Sequence, residues 1–288
     1  MVPEAVVTLD FSDVRLIVAG DVCEDVIIVG TAKRFSRETP GLPVIDVEHS
    51  VTIDGCTASP FRQVQALGAQ AFLVPTGRSC VKSRLLALQD GDSREVARWD
   101  GPWPPEDVET FRLLFREAGR ADGLLFSQYR PGRPMEPLLR LVRRFKGLKV
   151  VDARDPGHFA GFDVLKIGMD DAWRALRQPR PRRTPERAAQ AALAFGRSYG
   201  YRLAVVTMGA EGYAASTDEG TAIMEHALPG GWASPGAGDV FVATLTCALA
   251  AGHETREALK MANTAAGLAC RKGQHLGVVT LEELREAL

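Results

Sequence analysis

Residues 234–245 read Ser-Pro-Gly-Ala-Gly-Asp-Val-Phe-Val-Ala-Thr-Leu, a turn of small residues that runs directly into an apolar helical stretch. The small residues leave backbone N–H groups uncovered where the helix begins, and the helix dipole adds partial positive charge there. Such a terminus suits a phosphate or the charge that develops during phosphoryl transfer. Asp239 falls in the first turn, where a carboxylate can accept a proton from an attacking hydroxyl.

A second interpretation of this stretch is purely structural. Glycine and aspartate are common where helices begin, and an acidic residue there is favourable to the helix dipole. A dinucleotide site fits less well, because Val242 stands where the third glycine of a Gly-x-Gly-x-x-Gly fingerprint would be. The stretch alone therefore leaves an anion site and a plain glycine turn both open.

The rest of the chain alternates between short apolar runs and amphipathic stretches. The apolar runs, which are typical of buried strands, are residues 16–20, 71–74, 123–126, 148–151 and 203–206. Helical patterns lie at about 57–68, 106–118, 135–145 and 184–199. This alternation predicts an α/β fold with a largely parallel sheet covered by helices on both faces. Ligands bind such sheets beyond the carboxyl ends of the strands.

Two segments, residues 26–53 and 82–100, do not fit the alternation. In the second, strand-like pieces flank Asp90-Gly91, which is a hairpin signal. We expect both segments to form a small β lid that excludes water during group transfer. The proline- and arginine-rich tract at 177–185 is expected to be an exposed loop before a helix that Thr184 caps.

Bulk composition narrows the class of protein. The 288 residues are 45% hydrophobic and 25% charged with a net charge of −1, which is typical of a soluble globular protein and argues against nucleic-acid or membrane partners. We expect no transmembrane helix and no secretory signal, and hence a cytoplasmic location. The five cysteines form no Cys-x-x-Cys pair, so we expect buried free thiols rather than disulfides or a zinc site.

Beyond these local patterns, longer stretches show a family resemblance. They are Gly236-Ala237-Gly238-Asp239, Ala243-Thr244-Leu245, 248–252, 262–267 and, near the start, Gly20-Asp21-Val22-Cys23-Glu24-Asp25. With these stretches the chain resembles the ribokinase-like (PfkB family) carbohydrate kinases, most closely the D-glycero-D-manno-heptose 7-phosphate kinase branch. The resemblance implies one kinase domain over residues 1–288 and a three-layer α/β fold with a central, mostly parallel sheet and a small β lid. It also implies ATP and Mg²⁺ as cofactors and a sugar or sugar phosphate as the acceptor.

The resemblance also implies roles for individual residues. Asp239 would be the catalytic base, and Gly236, Ala237 and Gly238 would form the anion hole. The residues expected to contact the sugar or its phosphate are Asp21, Asp25, Gly55, Ser59, Arg37, Lys82 and Arg84, with Lys33 and Arg34 as further phosphate candidates. The residues expected on the nucleotide side are Thr207, Gly209, Gly212 and Asn263. For Asp21 and Asn263, a purely structural role in a turn or a helix remains the alternative.

Several positions depart from the family pattern. The paired glycines and asparagine that hold the sugar become Gly55-Cys56-Thr57-Ala58-Ser59. The Asn-x-x-Glu linked to magnesium becomes Gly168-Met169-Asp170-Asp171, which leaves Asp171 as the metal candidate and Asp170 as its alternative, either holding the ion through water. The heptose branch's Ser-Asp-Tyr-x-Lys-Gly becomes residues 127–132, Ser-Gln-Tyr-Arg-Pro-Gly. Two hypotheses follow: an active kinase, or a catalytically impaired homologue that binds a sugar or nucleotide in a regulatory or assembly role. A homodimer through the lid is expected by analogy.

Overall fold

The computed structural model describes residues 9–89, 92–178, 183–217, 219–220, 222–227, 236–272 and 277–288. The strands are β1 (Arg15–Gly20), β2 (Val22–Phe35), β3 (Pro43–Cys56), β4 (Gln70–Pro75), β5 (Cys80–Gln89), β6 (Asp92–Asp100), β7 (Gly123–Ser127), β8 (Leu148–Asp152), β9 (Val164–Gly168), β10 (Leu203–Thr207), β11 (Tyr213–Thr217) and β12 (Ala222–Glu225). The helices are α1 (Ala58–Ala66), α2 (Val108–Glu117), α3 (Glu136–Arg143), α4 (Met169–Ala175), α5 (Pro185–Tyr199), α6 (Ala237–Ala250), α7 (Thr255–Arg271) and α8 (Leu281–Ala287).

The large sheet has eight strands in the order β12-β11-β10-β9-β8-β7-β1-β4. Six neighbouring strands of this sheet are parallel: β4, β1, β7, β8, β9 and β10. β11 and β12 extend the sheet in antiparallel pairing. All five apolar runs identified in the sequence are strands of this sheet, because strands buried on both faces need continuous apolar residues. The four predicted helices are α1, α2, α3 and α5. The expected mostly parallel α/β fold is thus confirmed.

Two hydrophobic cores lie on opposite faces of the large sheet. One packs α6 and α7 against β1 and β10, with Phe241, Leu245 and Leu259 buried. The other packs α3 and α5 against the opposite face, with Leu138 and Phe195 fully buried. Alternate residues of a strand point to opposite faces, so each strand contributes side chains to both cores. The fold therefore has three layers, as expected from the sequence.

A separate four-stranded sheet has the order β3-β2-β5-β6. Both segments set apart in the sequence, 26–53 and 82–100, lie within it, and we call it the small sheet. β5 and β6 pair antiparallel up to Gln89 and Asp92, as the hairpin signal predicted, although Asp90-Gly91 falls outside the described residues. In the arginine-rich tract, residues 179–182 also fall outside. Thr184 caps α5 as expected, because its hydroxyl accepts a hydrogen bond from the Arg187 N–H.

The cysteines correct one expectation. Cys23 and Cys56 form a disulfide, with their Cα atoms 5.5 Å apart, whereas both were expected to be free thiols. Their separation of 33 residues hid the pair in the sequence; the antiparallel pairing of β2 with β3 brings them together. Cys80, Cys247 and Cys270 are free, as expected. Across the described ranges, no helix has the length and apolar character that a membrane span requires.

Candidate active site

A cavity of about 640 Å³ opens between the small sheet and the N-terminus of α6. Its wall contains most of the residues that the sequence singled out for catalysis and acceptor binding: Asp25, Gly55, Ser59, Lys82, Arg84, Gly236, Ala237, Gly238 and Asp239. They come from β2, β3, α1, β5 and α6, elements far apart in the chain. The fold therefore brings together at one place the predicted base, the predicted anion hole and most of the predicted acceptor residues.

Asp239 is the chemical centre of this cavity. The Tyr129 hydroxyl donates a hydrogen bond of 2.5 Å to its Oδ1 atom, and the Ser59 hydroxyl is a further hydrogen-bond partner of the carboxylate. Burial raises the pKa of Asp239 to about 6, against the lowering effect of Lys166 and of the two hydroxyls, while nearby Asp152 adds to the rise. A carboxylate with a pKa near 6 is ionised at neutral pH, yet binds a proton more readily than an ordinary aspartate, as a general base should.

The N-terminus of α6 has the geometry of an anion site. Gly236 has a φ of +97°, a left-handed conformation that favours glycine, and no side chain of the described residues caps the helix. The first backbone N–H groups of the helix therefore remain available to a ligand. Residues 234 and 235, which precede Gly236 in the predicted segment, lie outside the described part of the chain.

Lys166 adds a buried positive charge to the predicted anion site, and the sequence analysis did not identify this residue. A Cβ placed on Gly238 would lie 2.7 Å from the Lys166 Nζ, so glycine is needed to let the ammonium group approach the start of α6. Lys166 is 7% exposed and forms an ion pair of 2.8 Å with Asp152. Burial acts to lower the pKa of Lys166, but the carboxylates of Asp152 and Asp239 outweigh it and raise that pKa. A permanent positive charge therefore lies beside the helix terminus.

Asp21 has a different environment from the one expected for a sugar ligand. Its carboxylate accepts hydrogen bonds from the Thr76 hydroxyl at 2.8 Å and from the backbone N–H groups of Tyr129 and Arg130 at 3.0 and 2.9 Å. Arg130 adds an ion pair at 3.4 Å. Asp21 is 4% exposed and does not line the cavity. These contacts support a structural role for Asp21 in the turn after β1, which was the alternative to sugar binding.

Asp25, by contrast, lies on the cavity wall. Its carboxylate forms an ion pair of 3.4 Å with Arg84, which also pairs with Glu95 at 2.9 Å. Gly55 permits this position, since a Cβ there would meet the Asp25 Oδ2 at 2.4 Å. Asp25 is thus presented to the cavity with a partly exposed carboxylate.

The predicted phosphate-binding cations divide into two groups. Lys82 lines the cavity, where its Nζ lies over the rings of Trp103 and Tyr129 and 2.9 Å from the Cys56 Sγ. Arg84 lies on the wall too, and Arg62, Arg98 and Arg154 are cavity cations that the sequence did not single out as site residues. The other three predicted cations are exposed and do not line the cavity. Lys33 and Arg34 lie at the far end of β2, and Arg37 lies in the turn after it.

Three of the four nucleotide-side candidates lie at or just after the carboxyl end of β10, and Asn263 lies on α7. Thr207 ends β10 beside Gly168, and Gly209 follows with a φ of +68°. Gly212 is required sterically, because a Cβ there would lie 2.0 Å from the Glu225 carbonyl oxygen. The Asn263 side chain donates to the His226 carbonyl oxygen at 2.8 Å. None of the four lines the cavity around Asp239, so they remain candidates for a separate nucleotide surface.

Asp171, the magnesium candidate, lies between two arginines. Mg²⁺ usually keeps several waters and takes one or two carboxylates together with substrate phosphates. Asp171 lies in the first turn of α4 and pairs with Arg174 at 2.5 Å and with Arg154 at 3.9 Å. Within the described ranges, no three His, Cys, Asp or Glu side chains cluster as a ligand set. Asp171 therefore offers one carboxylate, already paired with two arginines, as a candidate to hold an ion together with nucleotide phosphates and water.

The chain is similar to known proteins over most of its length. It is 29% identical over 313 residues to the bifunctional protein HldE of Coxiella burnetii (strain Dugway 5J108-111), and 28% identical over 312 residues to that of Halorhodospira halophila. Each alignment covers 96% of this chain and 64% of the relative, so the chain spans slightly less than two thirds of these relatives.

Solved structures agree on the fold. Phosphofructokinase-2 from Escherichia coli in complex with potassium superposes with a TM-score of 0.75 at 14% identity, and the ribokinase from Thermotoga maritima with 0.70 at 16% identity. Both comparisons cover 95% of this chain and 98% of the other. Residues 158–277, which include Lys166 and Asp239, match the model of the pfkB family carbohydrate kinases. The part of the chain that contains Lys166 and Asp239 is therefore similar to the pfkB family carbohydrate kinases.

Proposed function

We propose that the protein transfers the γ-phosphoryl group of ATP to a hydroxyl of a sugar or sugar phosphate, with a heptose phosphate-like acceptor preferred. One observation carries this proposal: Asp239 lies beside an uncapped helix N-terminus and the buried ammonium group of Lys166, inside a cavity of about 640 Å³. Phosphoryl transfer depends mostly on positioning and on stabilising charge around the transferred group. These groups provide a base for the acceptor hydroxyl and positive charge for the phosphoryl oxygens.

The acceptor end of the proposed site is the wall formed by the small sheet. Asp25 would accept hydrogen bonds from sugar hydroxyls, and Gly55 leaves room for it. Among the described residues, no carboxylate forms an ion pair with Lys82, and the Lys82 ammonium group lies on the cavity wall. An anionic substituent on the acceptor would give Lys82 the partner it lacks, since charge-assisted hydrogen bonds to phosphate are strong. The similarity to the HldE proteins, together with the resemblance to the heptose 7-phosphate kinase branch, supports a heptose phosphate as this acceptor.

The donor end would lie toward the carboxyl ends of β9 and β10. Thr207, Gly209, Gly212 and Asn263 are the candidates for nucleotide contacts, and Asp171 is the candidate for holding Mg²⁺. When bound, Mg²⁺ would neutralise charge on the phosphates. Lys166 and the α6 N–H groups would orient the γ-phosphoryl group toward the hydroxyl whose proton passes to Asp239.

A second candidate function is a non-catalytic role in binding a sugar or nucleotide. Gly168 offers no side chain where the related kinases have an asparagine, and the Asp171 carboxylate already pairs with two arginines. Both features weaken the metal side of the site. This candidate predicts ligand binding without turnover.

We also propose that two copies associate through the small sheet. Its strands and turns carry large apolar side chains that are exposed, among them Phe35, Val47 and Trp99 at 67%, 60% and 51%. β3 and β6 are its edge strands. Exposed apolar patches and open strand edges are typical of protein interfaces. A second copy would cover both, and the sheet would act as the lid expected from the sequence.

Coupled ADP release with a panel of sugars and sugar phosphates tests the kinase proposal. Wild type should release ADP only when a suitable acceptor is present, and Asp239→Asn should reduce the rate by about 1000-fold. Thermal shifts with ATP and Mg²⁺ test binding separately. Binding without acceptor-dependent ADP release across the panel would favour the second candidate instead.

A further inference from the structure

The base is held by a phenol from a distant part of the chain. Tyr129 follows the carboxyl end of β7, and its hydroxyl donates to the Asp239 Oδ1 at 2.5 Å. Burial raises the pKa of Tyr129 well above its ordinary value, and the charge of Asp239 beside it adds to the rise. The phenol therefore stays protonated at any physiological pH and acts as a donor to the carboxylate. One oxygen of Asp239 is thereby fixed in direction, which leaves the other side of the carboxylate to face an acceptor hydroxyl.

The position of Tyr129 depends in turn on Asp21. Asp21 Oδ2 accepts from the backbone N–H groups of Tyr129 and Arg130, while Oδ1 accepts from Thr76 and pairs with the Arg130 guanidinium. These contacts fix the backbone at the point where the Tyr129 side chain begins. A buried carboxylate with this many donors is a rigid anchor, because each lost partner would leave a buried group unsatisfied. Asp21 thus controls where the phenol can reach.

The Tyr129 ring also limits the acceptor side of the cavity. Lys82 Nζ lies 5.1 Å from the centre of this ring, so the residue touches both the base and the cation expected to bind an acceptor anion. The other groups that face Asp239 are Ser59 from α1, Asp152 from β8 and Lys166 from β9. Of these four neighbours, Tyr129 and Ser59 act through neutral hydroxyls, and the Tyr129 hydroxyl contacts Asp239 directly at 2.5 Å.

We propose that Tyr129 is a positioning residue for Asp239 and that Asp21 holds Tyr129 in place, so that the three residues form a clamp from the end of β1 to the base. The inference rests on the proposed function for the catalytic role of Asp239, but the clamp itself is a statement about geometry. It also gives Asp21 a function other than sugar binding. The clamp stabilises the ionised form of Asp239 and aims its free side toward the acceptor.

Carboxyl-carbon NMR of aspartate-labelled protein tests the clamp without requiring turnover. The Asp239 signal, assigned by its loss in Asp239→Asn, should titrate at a higher pH in Tyr129→Phe than in wild type, by about one pH unit. Asp21→Asn should move the midpoint in the same direction. It should add nothing in the Tyr129→Phe background, where no phenol is left to misplace.

Tyr201→Phe is the matched control, because it removes a buried phenol hydrogen bond of 2.6 Å to the Pro156 carbonyl oxygen, away from the cavity. It should leave the Asp239 midpoint unchanged even if the protein loses stability. An unchanged midpoint in Tyr129→Phe would overturn the clamp. An effect of Asp21→Asn on acceptor KM alone, with the midpoint unchanged, would overturn the part assigned to Asp21.

Kinetics separate the clamp from the proposed function. In an active enzyme, the acid limb of the pH profile of kcat/KM should move to higher pH in Tyr129→Phe, as the NMR midpoint does. The substitution should also reduce kcat by a larger factor than it raises KM. A shift in the NMR midpoint in a protein that shows no turnover in any variant would support the clamp and count against the kinase proposal. A fall in kcat without movement of the pH profile or the midpoint would overturn the clamp while leaving the kinase proposal standing.

Discussion

The ammonium group of Lys166 lies 2.7 Å from the point where a side chain on Gly238 would begin. This contact links β9 to the first turn of α6 and explains why the small residue is needed at that position. It also means that the anion site has two parts, the helix N–H groups and a buried cation. A change in either part should therefore impair the other.

Gly238→Ala tests this linkage directly. The added methyl group should push the flexible end of Lys166 away from the helix terminus, because the ammonium group gives way more easily than backbone does. We expect kcat to fall by about 100-fold, which is typical for the loss of one charge-stabilising group. The protein should remain folded, because alanine suits a helix better than glycine does. Steady-state kinetics with thermal unfolding as a control would check this, and full turnover in Gly238→Ala would contradict the assignment.

The raised pKa of Asp239 also predicts how stability depends on pH. Its pKa is about 6 in the folded protein and 3.8 for an unperturbed aspartate. The folded state therefore binds more protons between these values, and Asp239 makes stability fall as the pH rises from about 4 to about 6, by at most roughly 3 kcal/mol.

Asp239→Asn removes this dependence. Urea unfolding should show the variant gaining stability relative to wild type on going from about pH 4 to about pH 7. A stability difference that does not change over that window, or that changes in the opposite sense, would show that Asp239 does not have a raised pKa.

Gly55→Ala separates acceptor binding from the rest of the site. A Cβ at this position would lie 2.4 Å from the Asp25 Oδ2 and should displace the carboxylate from the cavity wall. Loss of a hydrogen bond to a sugar hydroxyl should raise the acceptor KM by about 10-fold and leave the KM for ATP unchanged. Initial rates with each substrate varied in turn measure both. An equal rise in both KM values would point to general distortion and not to a role for Asp25.

The exposed apolar side chains of the small sheet predict a dimer, and polar substitutions of these side chains should dissociate it. Phe35→Ser combined with Trp99→Ser should shift the molecular mass measured by light scattering from that of two chains to that of one. Leu113→Ser is a suitable control, because Leu113 is 57% exposed on α2, outside the small sheet. A wild-type protein that stays monomeric at high concentration would rule out this interface.

The sequence was most informative where a local pattern determines the structure. Continuous apolar runs such as 203–206 predicted the strands, and the glycine turn before Asp239 predicted the start of α6. The role of Asp21 could not be decided from the sequence, because the local pattern is the same for an aspartate that binds a ligand and for one that accepts from buried backbone N–H groups. Only the course of the chain at Tyr129 and Arg130 distinguishes the two cases.

Lys166 and Tyr129 show what the sequence could not reveal. A lysine in the middle of a short apolar strand gives no sign of the Asp152 carboxylate on the neighbouring strand that makes its burial tolerable. Tyr129 was noted only as part of a divergent motif, since its contact with Asp239 joins residues 110 positions apart. The Cys23–Cys56 disulfide was missed for the same reason. Contacts across strands and layers depend on tertiary packing, for which one sequence contains no local signal.

Transfer of label from ATP carrying a radiolabelled γ-phosphate to a panel of sugars and sugar phosphates is the most direct test of the central claim. Wild type and Tyr201→Phe should both give a labelled sugar product, and Asp239→Asn should give a yield lower by about 1000-fold. Label that appears only as inorganic phosphate, or sugar labelling that is equal in wild type and Asp239→Asn, would contradict it.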